Sequence, residues 1–196
     1  MVLKLYGSSY STYTKCVAIV LHEKNVPFEL VPVDMLSKEH KSEEYLKKHP
    51  FGQVPYIDDD GFILFEARAI SLYIATKYAS QGTPLIPADL KGKALSAQAQ
   101  SIEMSNFCPH AAGIMLEKFV NPKLRGLETD EVAVAKYAST LDAKLDGYER
   151  ILSKQKYLAG NELTIADLFH IPVGTRLYDV NYGHLFDKRP NVKRHG

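Results

Sequence analysis

Tryptophan is absent from the chain, and cysteine occurs only twice, at Cys16 and Cys108. Two cysteines so far apart make neither a zinc-ligand spacing nor a redox pair, which excludes a cysteine-built metal site or a disulfide framework. Both are expected to be small buried hydrophobes, and a reducing, cytoplasmic compartment is the simplest reading. Charge of one sign is also missing. The 24 Lys and Arg residues stand against 23 Asp and Glu, interspersed along the chain, giving a net charge of +1. Such a balance offers no electrostatic reason for a nucleic acid or an anionic membrane as partner. No stretch reaches the roughly 18 apolar residues of a membrane-spanning helix. The N-terminal run Met1-Val2-Leu3-Lys4-Leu5-Tyr6-Gly7 does not read as a secretory signal. Internal repeats and low-complexity tracts are not found.

What is present is ordinary globular material: 45% of residues are hydrophobic and 10% aromatic, enough for a sizeable core. Val2 to Tyr6 alternates and stops at Gly7, as a short strand does. From Thr12 to Lys24 the residues Val17, Ala18, Val20 and Leu21 recur at helical spacing until Asn25-Val26-Pro27 ends the helix. Phe28 to Val33 reads as a second strand, and β-α-β favours parallel pairing through a right-handed crossover. Residues 37–50 read as short helix or loop. Tyr56-Ile57, Asp58-Asp59-Asp60-Gly61 and Phe62 to Phe65 form a hairpin around an Asp-Gly turn, and Ala67 to Tyr78 reads as a buried amphipathic helix. This order is the thioredoxin-like plan. The Gly/Pro-rich Gln81 to Pro87 is the best linker. The expected organisation is therefore an α/β thioredoxin-like domain over 1–80, a linker over 81–88 and an all-α domain over 89–196. Helices are expected over Asp89 to Phe119, Asp130 to Ser153 and Ile165 to Val180. Thr164-Ile165-Ala166-Asp167 has the form of a capping box, with Leu163 and Leu168 placed for a hydrophobic staple, which is a structural role.

The chemistry concentrates in Pro50-Phe51-Gly52-Gln53-Val54-Pro55 and in Phe65-Glu66-Ala67-Arg68-Ala69-Ile70. Proline before a strand removes an amide, and a cis bond there would expose the backbone of Val54 for pairing with an extended peptide. A helix beginning at Glu66 and Ala67 offers free amides and a positive dipole end to a carboxylate. Ser11 stands at the start of the first helix, where the plain reading is an N-cap, and Ser8, Ser9 and Thr12 compete for any chemical role.

Together these pieces, with Leu5-Tyr6-Gly7, Glu39-His40-Lys41, Lys156-Tyr157-Leu158-Ala159-Gly160, Thr164 to Leu168 and Arg189-Pro190-Asn191-Val192, resemble the cytosolic glutathione transferases, most closely the phi class. The resemblance spans nearly the whole chain and implies the glutathione transferase fold. It implies that the Ser11 hydroxyl donates to the sulfur of glutathione. A free thiol has a pKa of about 8.5, so only ~3% is thiolate at neutral pH. Lowering that pKa by about two units takes ~2.7 kcal/mol of differential stabilisation, within reach of one charge-assisted bond plus a helix dipole. By the same resemblance, His40 and Lys41 hold the glycine carboxylate, and Gln53, Val54 and Pro55 serve the cysteinyl-glycine part. Glu66, Ala67 and Arg68 hold the γ-glutamyl end. The electrophile pocket is expected to use Tyr10, Phe107, His110, Ile114 and Phe119, with Phe51 as an aromatic key into a partner subunit. Tyr6 stands at the superfamily's other hydroxyl position, where the phi class uses it for packing.

Three departures stand out: Ala67 replaces the usual serine, Cys16 stands where an arginine is common, and the chain stops at Arg194-His195-Gly196 where relatives continue through tryptophans. Losing the serine hydroxyl removes one hydrogen bond to the γ-glutamyl carboxylate, at a cost of about 1–3 kcal/mol. The resemblance implies a homodimeric enzyme that uses glutathione as co-substrate against small hydrophobic electrophiles, with glutathione peroxidase activity as a further outlet and no permanently bound cofactor. The alternative is a non-catalytic carrier of hydrophobic ligands on the same fold. A thiol-transferase is disfavoured because position 11 is serine, with Cys16 a turn further along the helix.

Overall fold

The computed structural model describes residues 2–195, which divide into two compact units, one ending at Ile86 and the next beginning at Pro87. The first unit is built on a four-stranded sheet of order β2-β1-β3-β4, with β1 Leu3–Gly7, β2 Phe28–Pro32, β3 Tyr56–Asp59 and β4 Phe62–Phe65. In β1, Leu3, Leu5 and Gly7 are buried while Lys4 is exposed, the period of two that a pleated strand imposes. β1 and β2 pair in parallel, from Leu3 opposite Phe28 to Gly7 opposite Pro32. β3 runs antiparallel to β1 with Tyr56 opposite Tyr6, and β4 antiparallel to β3 with Phe65 opposite Tyr56. The β3–β4 loop is the two residues Asp60 (φ 57°) and Gly61 (φ 88°), the double positive φ of a primed hairpin turn.

The parallel pair is joined by α1, Thr12–Glu23, whose Val17, Val20 and Leu21 are completely buried. α1 packs against α3, Ala67–Lys77, which follows the hairpin. Between β2 and β3 lie a 3₁₀ turn at Glu39–Lys41 and the single-turn α2, Glu43–Leu46. Ser42 caps α2 by accepting from the Tyr45 N–H, and Tyr45 packs in a cluster with Val33 and Tyr56. At the other end of α1, Lys24 is only 1% exposed and its ammonium donates to the Thr83 carbonyl at 2.9 Å. Thr83 in turn donates its N–H to Glu23 O and its hydroxyl to Glu23 Oε2, and Gln81 Nε2 donates to Lys24 O. Residues 81–83, inside the stretch read as linker, are thus bound back to the first unit.

The second unit is helical. Its first helix runs from Leu90 to Arg125 as α4 Leu90–Ile102, a π-helical stretch Glu103–Phe107, α5 Cys108–Met115 and a second π-helical stretch Leu116–Arg125. Pro109 follows the first widened stretch and Pro122 lies inside the second; neither residue can donate back along the helix, which disturbs the regular ladder there. α6, Glu131–Leu152, starts on Asp130, whose carboxylate accepts the Val132 and Ala133 amides at 3.0 Å. The single helix expected over Ile165 to Val180 is instead two, α7 Ile165–Leu168 and α8 Ile171–Asp179. The break is at Pro172, which has no N–H for the carbonyl of Leu168. α9, His184–Asp187, and α10, Pro190–His195, complete the unit.

The sequence motifs of this unit are joints. The Asp167 carboxylate, 3% exposed, closes the capping box by accepting the Thr164 N–H at 2.8 Å and the Thr164 hydroxyl at 2.9 Å. It also accepts the Leu158 N–H at 2.8 Å, fastening the Tyr157–Gly160 turn to α7. Arg189 grips Asp142 and Asp146, and Glu149 accepts the amides of Asn191 and Val192, so the Arg189-Pro190-Asn191-Val192 motif ties α10 to α6. Cys16 and Cys108 are both buried free thiols.

Candidate functional site

Strand register brings four segments of the first unit to one end of the sheet. Gly7 opposite Pro32 places the loops leaving β1 and β2 there together, and the Val33 N–H donates to Gly7 O at 2.9 Å. Tyr56 opposite both Tyr6 and Phe65 places the approach to β3 and the exit from β4 at the same end. Those segments carry Ser8–Ser11, His40–Lys41, Gln53–Pro55 and Glu66–Arg68.

Ser11 is the N-cap of α1. Its Oγ accepts the Thr14 N–H at 3.2 Å, its backbone is extended, and its side chain is half-buried. Capping uses a lone pair of the hydroxyl, so the hydroxyl hydrogen remains able to donate. The plain reading of Ser11 as a cap and the chemical reading are therefore compatible. Ser8 accepts the Tyr10 N–H at 3.3 Å through its own hydroxyl, and Ser9 is exposed.

His40 is half-buried, with Nδ1 enclosed and without a protein partner. Burial, then the neighbouring Lys41 charge, holds its pKa below the usual histidine value, so the ring is neutral at pH 7. Lys41 is exposed and its ammonium donates to Phe51 O at 3.1 Å, leaving two donors for other partners. The two loops cross at Gly52, which has φ +57° and sits so close that a Cβ would stand 2.6 Å from His40 O. Only glycine fits such a crossing.

Gln53 has an exposed side chain, while its carbonyl accepts from the Tyr45 hydroxyl at 2.7 Å. The Val54–Pro55 peptide is cis. Val54 packs on the Val33, Tyr45 and Tyr56 cluster, and Pro55 is buried. Glu66 is exposed at the head of α3 with φ 72° and ψ 109°, a conformation costly for a residue with a Cβ. No side chain caps α3. Ala67, its first residue, is 7% exposed, and Arg68 is half-buried on the same turn.

Phe51 projects with 66% of its surface exposed, its ring edge-on to His49 and to Phe65 at 6.3 Å each. Tyr10 is likewise 66% exposed. In the helical unit, His110 and Phe119 are half-buried, with the Arg176 guanidinium 5.2 Å above the Phe119 ring. Burial, with help from the Lys144 charge, lowers the His110 pKa. Phe107 and Ile114 require a correction. They are 2% and 0% exposed and lie in the helical unit's own core with Ala111, Leu145 and Tyr148, so they have no surface for a ligand. An apolar stripe at helical spacing faces a core or a pocket with equal ease, and here the stripe of residues 107, 111 and 114 faces the core.

Tyr45 belongs to the same site and carries no motif that marks it in the sequence. It is the aromatic residue of the polar stretch 37–50 and the one whose hydroxyl reaches the Gln53 carbonyl. Among the described residues no group of three or more His, Cys, Asp or Glu could hold a metal ion, and no helix is long and apolar enough to cross a membrane.

Comparison with known proteins gives a consistent result. The profile of the glutathione S-transferase N-terminal domain matches residues 1–76, and that of the glutathione S-transferase C-terminal domain matches residues 107–195. Glutathione S-transferase PM239X14 of Arabidopsis thaliana is 47% identical over 195 residues, covering 97% of this chain and 88% of that protein. Glutathione S-transferase hmp2 of Hypomyces subiculosus is 44% identical over 197 residues, covering 99% and 91%. Among solved structures, glutathione transferase F7 from Populus trichocarpa superimposes with a TM-score of 0.95 at 42% identity, over 99% of this chain and 91% of that one.

Proposed function

The chain belongs to the glutathione S-transferase family, with phi-class plant enzymes among its relatives, and from its glutathione transferase activity we propose that the Ser11 hydroxyl stabilises the glutathione thiolate. The observation that carries this reading is the pairing of helix starts at one end of the sheet. α1 presents a serine with a hydroxyl hydrogen to donate, and α3 starts without a side-chain cap. The first suits a sulfur anion and the second a carboxylate.

On this reading the Ser11 O–H donates to the sulfur, and the positive end of α1 adds to the same preference for the anion. The thiolate then attacks an electrophilic carbon, forming a thioether while the leaving group departs with its electron pair. Attack of the same thiolate on a peroxide oxygen breaks the O–O bond, releasing an alcohol and leaving glutathione as its sulfenic acid. A second glutathione converts that acid to the disulfide with loss of water, which is the route to glutathione peroxidase activity. Val54 pairs through its backbone with the cysteinyl-glycine part beside Gln53 and Pro55. The amides of Ala67 and Arg68, with Glu66, hold the γ-glutamyl end, and His40 and Lys41 hold the glycine carboxylate. Tyr10, His110 and Phe119 keep accessible surface and remain the candidates for contact with a hydrophobic electrophile. We further assign glutathione binding to the first unit, whose expected limit at residue 80 is carried on through Thr83 by the bonds to Glu23 and Lys24, and the helical domain to the second unit. Phe51 serves as the key of a homodimer, the enzyme works in the cytoplasm, and no cofactor is permanently bound. The carrier alternative gains no support from the relatives.

The test is the ultraviolet absorbance of the thiolate of bound glutathione, titrated against pH in the native protein and in Ser11→Ala. A bound pKa well below the free value of about 8.5, restored towards it in the variant, is the expected result. Saturable binding with an unshifted pKa in the native protein would falsify the Ser11 mechanism.

A further inference from the structure

We infer that Tyr45 is a positioning residue for glutathione, its hydroxyl aiming the backbone N–H of Val54 at the bound peptide. This rests on the reading that Val54 pairs with the cysteinyl-glycine part. The Tyr45 hydroxyl donates to Gln53 O at 2.7 Å. That carbonyl and the Val54 N–H belong to the same peptide group, which is trans, since among the described residues the cis bond is the next one along. In a planar trans peptide the C=O and the N–H point in opposite directions. Fixing the carbonyl therefore fixes the amide, and the N–H is held pointing away from Tyr45.

Water could satisfy the carbonyl of a loop whose side chain is exposed, so what the tyrosine adds is direction. Its own position leaves little freedom. Tyr45 is 6% exposed, and its ring stands edge-on to Tyr56 at 5.2 Å and 71°. Tyr56 in turn stacks on Tyr6 at 4.4 Å and 8°. The backbone under it is held by the Ser42 cap, which accepts the Tyr45 N–H at 3.3 Å. Burial raises the pKa of the Tyr45 hydroxyl far above its ordinary value, so it stays a donor throughout the working pH range. The run Tyr45, Tyr56, Tyr6 also connects α2 through β3 to β1, the strand that leads into Ser11.

The experiment compares native protein, Tyr45→Phe and Ser11→Ala, using glutathione kinetics and calorimetric binding of S-methylglutathione, which lacks an ionisable thiol. For Tyr45→Phe the expected result is a rise of about tenfold in KM for glutathione and an equal loss in S-methylglutathione affinity. Its kcat at saturating glutathione and the pKa of the bound thiol stay at native values. Ser11→Ala is expected to do the reverse, raising the bound thiol pKa while binding S-methylglutathione normally. An unchanged KM in Tyr45→Phe, a fall confined to kcat, or a lower melting temperature with native affinity overturns the proposal. A native thiol pKa in Ser11→Ala overturns the Ser11 mechanism and leaves the Tyr45 result standing. Failure of the native protein to bind either glutathione or S-methylglutathione overturns both.

Discussion

The first turns of α7 and α3 are built in opposite ways. α7 opens under Asp167, a buried carboxylate that accepts two amides and a hydroxyl within its own unit. α3 opens under Glu66, an exposed residue at positive φ that caps nothing. α1 lies between these extremes, since Ser11 accepts one amide and keeps a hydrogen to give. Helix starts carry unpaired amides and a positive end whatever their sequence. The protein closes that charge off where it needs a joint and leaves it open at the helix starts proposed above to hold the anions of glutathione.

Removing the closed cap is the most damaging way to test the contrast. Asp167→Ala strands the Leu158 and Thr164 amides, and denaturant unfolding is expected to show a loss of about 3 kcal/mol. A loss under about 1 kcal/mol would mean the cap is not a joint. Ser11→Ala comes next: about one and a half pK units on the bound thiol, or ~2 kcal/mol, with the α1 dipole keeping the remainder, read as a fall of roughly 30-fold in kcat/KM at neutral pH. Loss of the cap itself is expected to cost stability only ~1 kcal/mol. Ala67→Ser puts a hydroxyl on the first turn of α3 and is expected to tighten glutathione binding by ~1 kcal/mol, about fivefold, without moving the thiol pKa. Unchanged affinity in calorimetry would remove residue 67 from the γ-glutamyl contact.

The smallest effect is one of pH. Burial holds the pKa of His49 below the ordinary value, opposed by the Glu66 carboxylate and assisted by the Lys41 charge. His40 is depressed by burial first and Lys41 second. The unfolded chain therefore takes up protons first, as pH falls through about 6.5, and stability that is complete above that pH declines below it. The melting temperature is expected to be lower at about pH 5.5 than at about pH 7.5, and His49→Gln to narrow the gap. An equal gap in the variant would exclude His49 as a source.

Local rules made much of this legible in advance. The Asp60-Gly61 turn, the start of α1 after Ser11 and the span of α6 all follow from turn chemistry, capping and periodicity acting over a few residues. Three prolines, at 109, 122 and 172, have no mark in the periodicity, and with them go the widened turns of the long helix and the division of α7 from α8. Periodicity registers which residues are apolar and is silent on a missing N–H. Phe107 and Ile114 show a second limit, because a stripe that faces a core and one that faces a pocket have the same sequence. The loops of the candidate site could be placed from the order of strands, whereas the Tyr45 bond could not. It joins residues eight apart through a loop crossing that periodicity does not encode.

The fastening of Lys24 to Thr83 has a bearing on where the chain can be divided. A fragment ending with α3 at Lys77 would keep every strand of the sheet and all of α1, yet it would lose both the carbonyl that the Lys24 ammonium donates to and the residues packed against Lys24. Lysine in that position needs its carbonyl, and Glu23 needs the amide and hydroxyl that Thr83 brings. The first unit therefore runs past its last helix, and any chimera that exchanges the helical half should be spliced after Thr83.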